Sequence, residues 1–284
     1  MKLITVCTDT NNYYYKNWLY TANKHNHDVV VLGSDIKWTG FKLKNTLVYN
    51  YCTEHHDPDE LIVVVDSYDL FVQHSPETLK KRFELSGRPK LIFGIENTIC
   101  LPYNCIHLEC NADKHKYTIN GGFIMGKASD LAELYKFVLK NSPWDDQLGF
   151  SMYRNINCGP DIHMDISHQF VANIIAFKDK NNLQVNNDEA LIRYKGSDSV
   201  FLHTPFIYAE FGYRYNKIGK HLLPNTFERK PVLYWIKGFI NHIYKVGSTH
   251  PSIKKYVLLS IVLVTVVIIV AIVSIVILKN HSHT

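Results

Sequence analysis

A dense cysteine framework is absent from this chain. Six cysteines in 284 residues is ordinary usage and excludes the dense cross-linking of a small disulfide scaffold. Three of them, Cys100, Cys105 and Cys110, recur every five residues near His107 and His115, but the paired Cys-x2-Cys knuckles of a structural zinc site are missing. There is no basic run. The net charge of +5 is spread along the chain, so nucleic-acid binding lacks its electrostatic footprint. Internal repeats and low-complexity tracts are absent. So is a signal-peptide pattern at the amino terminus: Leu3 to Cys7 is too short for the apolar region, and Asp9, Asn11 and Asn12 follow at once. No Asn-x-Ser/Thr sequon precedes residue 257.

Long apolar runs are missing too, with one exception. Val257 to Leu278 is 22 consecutive residues without a charge, rich in Val, Ile and Leu. At a rise of about 1.5 Å per residue such a helix spans roughly 33 Å, the hydrocarbon thickness of a bilayer. A helix in the core of a soluble protein would carry a polar stripe, which this one lacks. It reads as a transmembrane helix, bracketed by Lys254, Lys255 and Tyr256 before and Lys279 after, with residues 279–284 as a short tail. Lys237, Lys245, Lys254 and Lys255 outnumber Lys279, so the positive-inside bias puts the large domain on the cytosolic side. The expectation is a single-pass, tail-anchored protein held in a lipid bilayer, its cysteines free thiols in a reducing compartment. Residues 226–255, with Trp235, Phe239 and Tyr244, read as an amphipathic connector at the membrane surface.

Residues 1–225 are long enough for one well-buried domain. Strands are predicted at Leu3–Thr8, Asp28–Leu32, Leu61–Val65, Leu91–Gly94, Tyr117–Gly126 and Val200–Leu202. Helices are predicted at Tyr13–Lys24, Phe41–Tyr51, from the Ser75-Pro76-Glu77 start signal, and at Asp130–Lys140 and Gln147–Arg154. The stretch between Arg154 and Val200 is poorly patterned. Alternating strands and helices predict an α/β fold, a mixed, mostly parallel sheet flanked by helices.

The chemistry concentrates where strands end. Leu61-Ile62-Val63-Val64-Val65 is a branched apolar run that breaks into Asp66-Ser67-Tyr68-Asp69. Such runs are buried parallel strands, and ligands of open α/β sheets lie beyond their carboxyl ends. Two carboxylates there suit a hard divalent cation shared with a substrate diphosphate, though a solvated, helix-capping turn would use the same residues. Asn120-Gly121-Gly122-Phe123 offers close backbone approach beside an amide, or else a β-bulge. Trp144-Asp145-Asp146-Gln147 sets adjacent carboxylates next to an aromatic ring, suited to acid/base or cation-stabilising work or to capping a helix. His203 closes a predicted strand and so points to the same edge, as a ligand or as a structural histidine. A strand ending in two aspartates also suggests a haloacid dehalogenase-type phosphatase, but that chemistry needs carboxylates two apart, and Asp66 and Asp69 are three apart. His163-Met164-Asp165 matches the His-x-Asp of iron oxygenases, yet no room remains for the distal His of that facial triad.

In order, these blocks resemble the glycosyltransferase domain of the procollagen lysyl hydroxylase and glucosyltransferase family, whose fold is of the GT-A type. The likeness runs from Leu3 to about His203. It rests on Ile4-Thr5-Val6-Cys7-Thr8, Phe41-Lys42-Leu43, Val65-Asp66-Ser67-Tyr68-Asp69, Phe93-Gly94-Ile95-Glu96 with Cys100 and Pro102, Asn120-Gly121-Gly122-Phe123-Ile124, Asp145-Asp146-Gln147-Leu148 and Leu202-His203. The resemblance implies that Asp66, Asp69 and His203 hold Mn2+, or Mg2+ in its place, against the diphosphate of a UDP-sugar. By the same likeness Thr8 and Lys42 lie along the nucleotide, and Asn120, Asp145 and Asp146 face the transferred sugar and the acceptor. The implied reaction is retaining transfer of a hexose, with glucose favoured, to an acceptor hydroxyl such as hydroxylysine of a collagen-like protein. The chain departs from the family in three places. His203-Thr204-Pro205-Phe206-Ile207 stands where the family has an Asn-Gly-rich phosphate loop and a Lys, a role left to Lys217 or Lys220. The acidic run before Gln147 is reduced to Asp145-Asp146. Ser167-His168 replaces an Asp-His pair, leaving that acidic role vacant or moved to Asp165. The alternative to an active enzyme is a degenerate member serving as a nucleotide-sugar-binding adaptor.

Overall fold

The computed structural model describes residues 1–55, 57–96, 118–174, 182–186, 191–205 and 213–227. The chain divides into two compact units, Met1–Arg229 and Lys230–Thr284. The second lies outside the described residues, and with it the span expected at 257–278, the tail and nearly all of the connector; Cys100, Cys105 and Cys110 lie outside them too. Among the described residues no helix is long and apolar enough to cross a membrane.

The first unit runs β1 (Lys2–Val6), α1 (Tyr13–Lys24), β2 (Val29–Leu32), α2 (Phe41–Glu54), β3 (Leu61–Val65), β4 (Leu70–Val72), α3 (Pro76–Leu85) and β5 (Leu91–Glu96). Then come β6 (Thr118–Lys127), α4 (Ala128–Asn141), α5 (Asp146–Ile156), β7 (Ile162–Met164), β8 (Val171–Asn173), β9 (Leu183–Asn186), β10 (Leu191–Tyr194), β11 (Phe201–His203) and α6 (Tyr213–Leu222). The central sheet has the order β2-β1-β3-β6-β5-β7. Only β6 runs against the rest, pairing antiparallel with β3 on one side and β5 on the other. The expected mostly parallel α/β sheet is therefore present.

Alternation along each strand divides the core in two, because successive side chains leave opposite faces of the sheet. Ile4, Ile62, Val64, Phe93 and Ile124 meet Val48 of α2, Leu131, Leu134 and Val138 of α4 and Phe150 of α5. Leu3, Val63, Val65, Ile92 and Met125 meet Trp18 of α1, Leu79 and Phe83 of α3, and Leu70, Val171 and Phe201 of a smaller sheet ordered β4-β11-β8. Each such aliphatic side chain contributes roughly 1.5–3 kcal/mol on burial. With both faces covered, the strands could be apolar throughout, which is why β3 reads as an unbroken run.

Of the smaller sheet only β11 was expected, at Val200–Leu202. Its strands are three residues each, too short for a period-2 pattern to register, and β4 and β8 went unread. Cys7 and Cys52 are free and buried, but Cys158 is disulfide-bonded, so the expectation of free thiols throughout is corrected at that residue.

Candidate metal and sugar-nucleotide site

Three strand ends converge. β3 delivers Asp66, the turn into β4 delivers Asp69, and β11 ends in His203. Antiparallel pairing of His203 with Leu70 and parallel pairing of His203 with Asn173 fix that histidine between β4 and β8. Ligand atoms of Asp66, Asp69 and His203 lie within 4.8 Å of one another. The turn holding both aspartates is pinned by backbone: Asp66 N donates to Gly122 O at 3.2 Å, and Thr204 donates its N–H to Asp69 O at 2.7 Å and its hydroxyl at 3.1 Å.

His203 is the test of what this trio fits. Its ring is buried, and Nε2 faces Asp69 Oδ1 at 3.3 Å and Asp66 Oδ2 at 3.8 Å while making no hydrogen bond. A buried nitrogen aimed at two carboxylates without a bond of its own suits a shared cation, and the one-imidazole, two-carboxylate set suits Mn2+ or Mg2+ better than a soft metal. Burial works against charge on this ring, yet Asp69 and then Asp66 hold its pKa above the ordinary histidine value.

Gly122 makes the approach possible. A Cβ there would lie 2.2 Å from His203 Cε1, a separation that side chains cannot share. It sits in an irregularity of β6: Phe93 pairs with Ile124, but Gly94 pairs with Asn120, so Gly121-Gly122-Phe123 bulges out of register. The β-bulge reading of Asn120-Gly121-Gly122 holds, and the bulge brings backbone against the histidine.

A second charged group adjoins the first. Lys44 is buried in α2, with Nζ 2.8 Å from Asp66 Oδ1 and 3.0 Å from Asp146 Oδ2, and it donates to Gly121 O at 3.3 Å. Burial opposes its charge, but Asp146 and Asp66 outweigh burial and hold the ammonium well above the ordinary lysine value. The same surroundings split the carboxylates. Burial raises the Asp146 pKa despite Lys44, whereas at Asp66 desolvation is outweighed by Lys44 and His203, and the pKa falls. Asp145 caps α5 by accepting from Leu148 N at 2.9 Å, the capping role its position allowed. Asn120 accepts from Gly122 N at 2.8 Å and donates to Glu96 Oε2 at 2.6 Å, and Glu96 Oε1 accepts from Gln147 Nε2 at 3.0 Å.

The structure thus brings together Asp66, Asp69 and His203, and joins Asn120 and Asp146 to them through Gly122 and Lys44. Thr8 lies just past β1 beside Tyr68, and that end of β1 is tied to the aspartate turn by Ser67 Oγ to Val6 O at 3.2 Å and Cys7 Sγ to Tyr68 Oη at 3.4 Å. Lys42 is exposed, its ammonium 5.4 Å from the centre of the Trp144 ring. Lys217 is on α6. Asp165 has no opening for an acidic role: its carboxylate takes the backbone N–H groups of Gln169, Phe170 and Val171 at 2.8, 2.9 and 2.8 Å.

Lys44 and Glu96 escaped the sequence reading. Lys44 falls in line with Val48 and Cys52, four and eight residues on, all buried on one face of α2; a lysine on an apolar helical face was the available signal. Glu96 ends β5 as Asp66 follows β3, and the same strand-end logic applied to Phe93-Gly94-Ile95-Glu96 would have found it.

A family model described as the PLOD GT domain matches residues 1–209. An uncharacterized protein, R699, of Acanthamoeba polyphaga mimivirus is 31% identical over 140 residues, covering 45% of this chain and 30% of its own length. Procollagen-lysine,2-oxoglutarate 5-dioxygenase 1 of Gallus gallus is 26% identical over 172 residues, 55% of this chain and 22% of that protein. The human multifunctional procollagen lysine hydroxylase and glycosyltransferase LH3 is 24% identical over 177 residues, 59% of this chain and 24% of that protein. The chain therefore spans under a third of the length of these curated relatives. Among solved structures, a glycosyltransferase involved in glycosylation of the major capsid of PBCV-1 aligns with a TM-score of 0.49 at 13% identity, over 78% of this chain and 97% of that one.

Proposed function

The chain belongs to the PLOD GT-domain family, and on that premise we propose that it transfers a hexose, with glucose favoured, from a UDP-sugar to an acceptor hydroxyl with retention at the anomeric carbon. The observation that carries this reading is the buried His203 Nε2, without a hydrogen bond, facing Asp66 and Asp69. Asp66, Asp69 and His203 would hold Mn2+. When bound, the ion supplies charge neutralisation for the departing diphosphate.

The chain's own residues do the rest. Lys44 keeps Asp66 ionised by direct contact and fixes the Asp146 carboxylate at the neighbouring position. An ionised Asp146 favours positive character on the sugar as its bond to the diphosphate weakens. The Asn120 amide, oriented by Glu96 and Gly122 N, suits a hydroxyl of the transferred sugar. Thr8 and Lys42 are assigned to the nucleotide, and Asp145 to the acceptor side, on the family likeness. Hydroxylysine of a collagen-like protein is the acceptor that the LH3 likeness suggests.

We also propose that residues 257–278 anchor the protein in a bilayer. Flanking lysines favour a cytosolic domain, whereas the disulfide at Cys158 belongs to an oxidising compartment. Thiol labelling of Cys158 in intact membranes decides the side: a blocked Cys158 places the domain in the lumen, a labelled one in the cytosol.

The test of activity is UDP release by the purified full chain from UDP-glucose or UDP-galactose, with and without Mn2+. Metal-dependent release from one donor is expected. The second reading, an adaptor that binds the donor without turning it over, is favoured by Thr204, whose N–H and hydroxyl both go to Asp69 O where the family has a phosphate loop. Donor binding by a folded protein without release from either sugar would establish it.

A further inference from the structure

We propose that Asn173 is the positioning residue that holds the His203 ring with a bare Nε2 toward Asp66 and Asp69, and that the glycine at position 94 is what lets it do so. The proposal rests on the reading of these three residues as a divalent-metal site, and it concerns how that site is kept ready.

A neutral imidazole carries its proton on one nitrogen and a lone pair on the other, and only the lone pair can ligate. Which nitrogen is bare depends on what the other one faces. His203 Nδ1 faces Asn173 Oδ1 at 2.6 Å. An amide turned the other way would present N–H to Nδ1 and place the proton on Nε2, blocking the site. That flip is forbidden from behind: Asn173 Nδ2 donates to the Ile95 carbonyl at 2.8 Å, and a carbonyl can only accept. The amide oxygen must therefore point at the histidine, Nδ1 must donate, and Nε2 is the nitrogen left bare in the neutral ring and open to a metal. Both side chains are buried, so water does not compete for either nitrogen.

The register of the fold supports each step. β8 and β11 run parallel with Asn173 opposite His203, and Ile174 N donates to His203 O at 2.8 Å. β8 must also come close to β5 for the amide to reach Ile95. A Cβ at Gly94 would stand 2.8 Å from Val171 Cγ1 and 3.1 Å from Asn173 Nδ2, so a side chain there pushes β8 and its asparagine away. The end of β5 then serves two halves of one site. Ile95 orients the histidine through Asn173, while Glu96 orients Asn120 directly.

The test compares the full-length wild type with Asn173→Leu and Asn173→Asp. Imidazole 15N spectra of the metal-free proteins, taken at a pH alkaline enough for the ring to be neutral, report the tautomer of His203, assigned by the signal that His203→Gln removes. Binding of Mn2+ alone is followed by the electron paramagnetic resonance of the free ion. Wild type is expected to show the Nδ1–H form. Asn173→Leu should lose that preference and bind Mn2+ about 10- to 100-fold more weakly, whereas Asn173→Asp, still an acceptor for Nδ1–H though without a donor for the Ile95 carbonyl, should keep the tautomer. A folding defect, or a general loosening, would not sort the two variants by tautomer. Should the leucine variant not fold, Gly94→Ala is read in its place and should weaken Mn2+ in the same direction. Mn2+ affinity within twofold of wild type in Asn173→Leu, or in Gly94→Ala where that stands in, with the tautomer unchanged, overturns the proposal alone. A folded wild type that binds neither Mn2+ nor Mg2+ overturns the metal reading, and this proposal with it.

Discussion

Asp165 and the Asp66–Asp69 pair both follow strands of the central sheet, at the ends of β7 and β3, and their fates differ. Asp165 is fully buried and has spent its oxygens on three backbone amides, stapling the turn that leads into β8. The Asp66 side chain is 36% exposed, and both it and Asp69 turn toward a histidine nitrogen that makes no hydrogen bond. A carboxylate satisfied inside the fold has nothing left to offer a ligand. One held beside an unsatisfied partner does. The contrast separates a structural acid from a functional one by counting bonds, which position at a strand end alone cannot do.

Removing one member of each class should break different properties. Asp66→Ala or Asp69→Ala is expected to lower metal-dependent UDP release at least about 1,000-fold, the scale of losing a group that stabilises the transition state, with the folded state retained. Asp165→Ala leaves the buried N–H groups of Phe170 and Val171 without an acceptor. Since each orphaned group costs about 1–3 kcal/mol, a loss of about 2 kcal/mol or more is expected in urea unfolding, while turnover per folded molecule stays near wild type. If Asp165→Ala instead removes turnover without loss of stability, the assignment is reversed.

The pH dependence sharpens the same contrast. Burial pushes the Asp165 carboxyl up to about 6 from 3.8, against the pull of its three amides. The folded state then holds this proton more tightly than the unfolded chain. Its contribution is fully present below pH 3.8 and is lost as pH rises through 6, by up to about 3 kcal/mol. Asp165→Asn, which cannot titrate, should therefore cost more at pH 4 than at pH 7.5. Equal cost at both pH values would mean that the amides, not burial, govern this group. Asp66, whose pKa is held below the ordinary value by Lys44 and His203, has the opposite slope: its contribution is lost as pH falls.

A smaller effect is expected at the bulge. Gly122→Ala drives a methyl into the His203 ring, and overpacking of this kind costs about 1–3 kcal/mol. Displacing the ring should weaken Mn2+ binding along with stability, whereas Gly159→Ala, where a Cβ meets nothing within 4 Å, should change neither. Thermal unfolding with and without Mn2+ distinguishes the two: the metal-induced rise in Tm should shrink only for Gly122→Ala.

Much of this was legible in the residues. α1 and β3 fall on the predicted spans Tyr13–Lys24 and Leu61–Val65, because a 12-residue helix and an unbroken apolar run give patterns long enough to be read. Asp66 and Asp69 were found because ligands lie beyond strand ends in a parallel sheet, and His203 joined them as a ligand through the family likeness. β11 was also read, within one residue, at Val200–Leu202; β4 and β8 were harder, because three residues cannot show a period and only pairing between distant segments makes them strands. Asn173 left no trace for a related reason. Its importance lies in which atom of a distant histidine it faces, and sequence spacing does not encode that.

Lys42 and Lys44 carry the last contrast, between a lysine placed by likeness and one placed by packing. They are two residues apart on α2, which on a helix points them to different faces. Lys44 goes inward to Asp66 and Asp146; Lys42 goes outward to the Trp144 ring. An exposed cation–π contact contributes about 0.5–1 kcal/mol, so Lys42→Ala should alter stability by less than that and leave Mn2+ affinity unchanged. Lys44→Ala would leave the buried Asp146 beside Asp66 without the cation between them and should cost several-fold more stability. If Lys42 does reach the nucleotide, its removal raises the KM for the UDP-sugar while Mn2+ binding without donor stays constant. A change in metal affinity on losing Lys42 would mean that the two faces of α2 are coupled, and that the boundary drawn here between the buried charge network and the exposed rim is in the wrong place.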